Sequence, residues 1–102
     1  MNIGDRVGAF LGSTEEGVQF LGYGVYEGDF VPVGAVGFLS EMLLELNDIS
    51  PRIRLDSGKI VYGCECFWGS AKSVDERLKG HNIVMVDIEA VREELRAENS
   101  AS

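Results

Sequence analysis

The chain has 102 residues, enough for one hydrophobic core and too few for two, and 45% of them are apolar, enough to fill it. Seventeen acids against nine bases give a formal charge of −8, which repels phosphate and argues against direct nucleic-acid binding. No apolar run approaches the roughly 20 residues that cross a bilayer, and the opening Met1-Asn-Ile-Gly-Asp-Arg6 lacks the regions of a secretory leader; the expectation is a cytoplasmic protein, off the membrane, with reduced thiols.

Arg6-Val-Gly-Ala-Phe-Leu11 and Val18-Gln-Phe-Leu-Gly-Tyr-Gly-Val-Tyr26 alternate with the period of a strand and flank the polar tract Gly12-Ser-Thr-Glu-Glu-Gly17, which predicts a β-hairpin. The second strand sets Phe20, Gly22, Gly24 and Tyr26 on one side and Leu21, Tyr23 and Val25 on the other. Glycine weakens a strand, so its repeated use predicts sharp bending, as at a small barrel's corner. Glu27-Gly-Asp-Phe-Val-Pro-Val-Gly34 follows as a turn-rich connection in which Pro32 has no N–H for a ladder. Leu39, Met42, Leu43 and Leu46 then recur at helical spacing, and Phe38 and Leu44 widen the stripe. Asn47 and Pro51 are the stop signals. A helix so apolar in so small a domain is expected to cover one barrel opening, with a second subunit as its other neighbour.

Arg52-Ile-Arg-Leu-Asp-Ser-Gly-Lys-Ile-Val-Tyr-Gly-Cys-Glu-Cys-Phe-Trp68 reads as a second hairpin. A two-residue turn at Ser57-Gly58 sets Asp56 opposite Lys59 and Leu55 opposite Ile60. Ile53, Leu55, Ile60, Tyr62, Cys64, Cys66 and Trp68 then share one face, and Arg52, Arg54, Val61, Gly63, Glu65 and Phe67 the other. A three-residue loop with a glycine bulge would shift the register by one and mix Arg54 with Ile60 and Tyr62, so the apolar pattern favours the two-residue turn.

After Gly69 the period becomes helical, with Ala71, Val74 and Leu78 aligned, Ser70 as cap and Gly80 as terminator. A strand, Asn82-Ile-Val-Met-Val86, precedes a last helix that Asp87 caps, with Ile88, Val91 and Leu95 inward and Arg92, Glu93, Glu94 and Arg96 outward. The domain is expected to span residues 1–97, and residues 98–102 to form a disordered tail.

Cys64 and Cys66 are expected to point together into the core as small apolar side chains. Two thiols and one histidine fall short of a zinc site, and i, i+2 cysteines of a strand sit at the limit for a disulfide, so no metal or cofactor is predicted. Glu65, on the opposite face, is the diagonal neighbour of Arg52 and within reach of an ion pair. Tyr23, Arg52, Arg54, Glu65 and Phe67 are therefore the candidate ligand-binding residues, lining a groove in which a carboxylate and a guanidinium recognise a ligand. His81 follows a helix end and has no accompanying nucleophile motif or second histidine, so it reads as a polar helix-exit residue.

Gly4-Asp-Arg-Val, Gly22-Tyr-Gly-Val-Tyr26 and the hairpin from Pro51 to Gly69 resemble a family of small bacterial proteins, some carried in mobile gene cassettes, to which no activity is assigned. The resemblance spans roughly residues 3 to 86. The opening Gly-Asp-x-Val is also similar to the first strand of SH3-like barrels, and this likeness implies a barrel but transfers no catalytic residue. The expected fold is α+β: a small, strongly bent antiparallel sheet or SH3-like barrel of about five strands, with an inserted helix and C-terminal helices. The expected function is a non-catalytic binding or accessory module for a protein or small ligand, working as a homodimer. Two alternatives are a small enzyme with Glu65 or His81 as general base and an acidic mimic of nucleic acid.

Overall fold

The computed structural model describes residues 1–101. Strands β1 (Arg6–Thr14) and β2 (Gly17–Phe30) form the first hairpin; helix α1 (Phe38–Glu45) leads to β3 (Ser50–Leu55) and β4 (Ile60–Tyr62). A 3-10 turn, Gly63–Glu65, separates β4 from β5 (Phe67–Ser70), and α2 (Ala71–Leu78), β6 (Ile83–Met85) and α3 (Ile88–Ala101) complete the α+β fold. Among the described residues no helix is long and apolar enough to cross a membrane. The tail expected at 98–102 falls on the last turn of α3 and on Ser102, which lies outside the described residues.

The sheet runs β4-β3-β2-β1-β5 with antiparallel neighbours, while β6 pairs in parallel with β2. β2 is long enough to serve two partners on one edge: residues 18–20 pair with β6 and residues 24–30 with β3. The end strands β4 and β5 do not pair with each other, so the sheet is open and the expected barrel is not closed. Register slips beside Leu11 and Leu21 interrupt the first hairpin, and there two consecutive residues, Phe20 and Leu21, are both buried. Val7, Ala9, Leu21, Ile53, Leu55, Val61 and Ile88 make the main core, which joins four strands of the sheet to the start of α3. On the other face α2 lays Val74 against Gly8, where a Cβ would stand 2.8 Å from the valine methyl.

The second hairpin adopts the register that the apolar pattern disfavoured. Ile53 pairs with Val61 and Arg54 with Ile60, across a three-residue loop in which Gly58 takes φ 93° and donates its N–H to the Leu55 carbonyl at 2.8 Å. Asp56 and Lys59 do not face each other, because each has a partner elsewhere. Arg6 grips Asp56 through two hydrogen bonds of 2.7 and 2.8 Å, and Lys59 reaches Asp87 at 2.6 Å. Val61 thus replaces Ile60 as the inward residue.

The ribbon also ends at Tyr62 instead of running on to Trp68, so the expected continuous file is broken: Cys66 and Trp68 still pack against the core, while Cys64 is set against Ser40 of α1. Gly63 permits the 3-10 turn, since a side chain there would run into the Trp68 indole and Pro51. The turn separates the thiols: Cys64 Sγ lies 3.1 Å from Ser40 Oγ, and Cys66 donates to the Tyr62 carbonyl at 3.5 Å. Both cysteines are free and partly buried.

Both C-terminal helices start as their caps imply. Ser70 Oγ accepts from Ser73 N–H at 3.2 Å, and Asp87 Oδ1 from Glu89 N–H at 3.1 Å. Gly80, at φ 80°, turns the chain after α2 and leaves His81 exposed.

Candidate functional site

Glu65 does not meet Arg52 on an exposed face. The 3-10 turn aims it inward, where its side chain is 2% exposed and pairs with Arg92 of α3, itself 8% exposed. Oε1 accepts from Arg92 Nη2 at 2.7 Å and from Tyr62 N–H at 3.1 Å. Oε2 accepts from Arg92 Nε at 2.9 Å and from Val36 N–H at 3.2 Å. Arg92 further donates to the Ile60 carbonyl at 3.0 Å and to Glu89 Oε1 at 2.7 Å. The hydrogen bond to Glu65 holds the Arg92 pKa above its ordinary value, so the guanidinium stays charged despite burial. With four donors on its two oxygens, Glu65 has no acceptor site left for a substrate proton. The same carboxylate and burial push the Cys66 thiol up to about 12, burial being the larger cause, so this thiol is no nucleophile at neutral pH.

This ion pair is a clasp that carries position outward. Glu65 ties the Val36 amide, Arg96 Nη2 donates to the Gly34 carbonyl at 3.0 Å, and Pro32 and Val36 are buried between them. The loop from Val31 to Gly37 is thereby fixed on α3, and the loop launches α1. Ser40 is the only buried residue of α1 and rests against Cys64.

The other candidate residues stand in three separate places. Arg52 and Arg54 converge on Glu27, at 3.0 and 2.9 Å, with the Arg52 guanidinium 3.6 Å above the Phe30 ring. Tyr23 donates its hydroxyl to Asp75 of α2, a bond that raises the tyrosine pKa. Phe67 stacks on Phe10 with ring centroids 5.7 Å apart and is 62% exposed. No single groove holds these five side chains.

The most exposed apolar surface lies on α1. Phe38 is 82% and Leu46 67% exposed, and Leu39, Met42, Leu44, Val33 and Ile49 stand out around them. The expectation that this helix covers a barrel opening is therefore corrected: its stripe stands exposed, only Ser40 is buried, and the core cluster contains no residue of α1. Glu41, Glu45 and Asp48 lie among the apolar side chains, and no lysine or arginine occurs between Arg6 and Arg52. Helical spacing revealed the stripe without saying what covers it. Arg92 had a legible signal: it occupies the i+4 position of the stripe begun by Ile88, where an outward residue does not belong.

Compared with protein-family models, curated proteins and solved structures, the chain matches none.

Proposed function

We propose that the protein is a non-catalytic docking module that binds a protein segment on the apolar face of α1. The observation that carries this reading is the exposure of Phe38 and Leu46 on a helix whose only buried residue is Ser40. Apolar surface gathered in one place marks interaction sites, and a rigid mount lowers the cost of ordering it on binding. The strand order β4-β3-β2-β1-β5 with a 3-10 turn before β5 supports reading the core as an opened SH3-like barrel, a kind of scaffold that binds more often than it catalyses.

Charge selects the partner. A second copy would bring Glu41, Glu45 and Asp48 against their own equivalents, whereas an amphipathic segment with lysine or arginine beside its apolar residues matches both features of the face. A labelled leucine–lysine amphipathic peptide is the probe. Its fluorescence anisotropy is expected to saturate with wild-type protein and to weaken about tenfold or more with Phe38→Ser/Met42→Ser, which removes two apolar anchors and no charge. Equal binding by that variant, or by a leucine–glutamate peptide, contradicts the proposal. A dimer in sedimentation that the same variant dissociates would assign the face to a second copy instead.

A further inference from the structure

The stacked Phe10 and Phe67 rings belong to a second surface, distinct from α1. Gly8 and Gly69 face each other across β1 and β5, and this small pair lets Val74 of α2 drop onto the sheet. Beyond the two glycines, Phe10 and Phe67 rise on the same face, leaving a notch of about 160 Å³ between the rings and α2. Ser73, Val74 and Arg77 form its helical wall, and Trp68 and Gly69 its strand side. A cavity of about 150 Å³ accepts one benzene ring, so the notch is sized for a single six-membered ring stacked against Phe67.

The charge of the notch is opposite to that of the molecule. Arg6, Arg52, Arg54, Lys59 and Arg92 are engaged in ion pairs, and Arg96 is bonded to the Gly34 carbonyl. Among the described residues the cations outside these contacts are Lys72, Arg77 and Lys79, all on α2 or its exit. Asp75, the acid of the same helix nearest Tyr23, is occupied by the tyrosine hydroxyl. Arg77 is thus an unpaired guanidinium at the lip of an aromatic notch, in a chain that engages six of its nine cations in ion pairs or with a carbonyl.

We infer that the notch between β5 and α2 binds a monocyclic aromatic ring carrying an anionic group, with Phe67 stacking on the ring and Arg77 pairing with the anion. A free aryl acid and a peptide that ends in phenylalanine share this chemistry. The site goes beyond the docking face and does not depend on it, since no residue is common to the two.

The Trp68 indole lies on the opposite, core face of β5, paired with Ala9 and stacked on Tyr26, so isothermal titration calorimetry is the readout for the notch. Phenylacetate is expected to give a saturable heat of binding and to bind about tenfold tighter than 2-phenylethanol, which has the ring without the charge. Arg77→Gln should erase the difference and leave the alcohol's affinity in place. Phe67→Leu, which keeps an apolar strand residue but removes the ring, should weaken both ligands. Unchanged urea midpoints certify that the variants are folded. Tighter binding of a tripeptide ending in a free phenylalanine carboxylate than of phenylacetate assigns the notch to chain termini, and the reverse order assigns it to free aryl acids. Absence of a saturable signal, equal affinities for acid and alcohol, or an Arg77→Gln variant that still prefers the acid would overturn the inference.

Discussion

Removing the Glu65 carboxylate leaves the Arg92 guanidinium buried with only the half-exposed Glu89 as counter-charge. Breaking a buried pair from one side costs about 3–5 kcal/mol, a large share of the stability of a small domain. Glu65→Ala is therefore expected to lower the urea midpoint sharply, and a double-mutant cycle with Arg92→Ala to give a coupling of about 2 kcal/mol or more. Coupling below about 0.5 kcal/mol, the level of a solvated pair, contradicts the clasp. Cys66 carries a second prediction. Its thiol titrates near 12 when folded and near the ordinary value of 9.0 when unfolded, so the folded state keeps a proton that the unfolded chain releases. This contribution to stability is complete below about pH 9 and is lost as pH rises toward 12. In a Cys64→Ser background, alkylation of Cys66 should keep accelerating through pH 10 without levelling; a plateau near pH 9 contradicts it. Residue types alone gave Glu65 a partner of opposite charge but chose the wrong arginine. The choice depended on the 3-10 turn, and nothing in the residues near Glu65 distinguishes Arg52 on the neighbouring strand from Arg92, 27 residues away on a helix.

At the scale of elements, glycine positions separate two kinds of constraint. Gly58 takes φ 93° with open space around its Cα, so Gly58→Ala meets only backbone strain, about 1–2 kcal/mol. Gly24 pairs with Leu55, and a Cβ there would press inside contact distance on the Arg54 carbonyl, so Gly24→Ala forces β2 and β3 apart. Urea denaturation should rank Gly24→Ala as the more damaging of the two; the opposite order contradicts the β2–β3 register. The elements themselves were largely legible: two hairpins, three helices, a late strand, and caps at Ser70 and Asp87 all appear where composition and period put them. The register of the second hairpin was not, because it is decided by Arg6–Asp56 and Lys59–Asp87, contacts between residues 50 and 28 positions apart. Local alternation weighed Ile60 against Val61 and could not see those distant partners.

Over the whole molecule, charge divides along the chain. From residue 7 to residue 51 every charged side chain is an acid, and this stretch includes the apolar face of α1; among the described residues, three of the four cations outside ion pairs, Lys72, Arg77 and Lys79, lie on α2 or its exit. The exposed face of α1 was legible as a stripe and not as a surface, since a short apolar helix ordinarily closes a core. Here a core of seven residues is complete without it. The docking reading is tested most directly by amide hydrogen exchange of the full chain with and without the leucine–lysine peptide. The account predicts added protection confined to residues 33–49, with the β5 and α2 amides unchanged. Protection centred on residues 67–77, or spread evenly over the acidic surface, would contradict it.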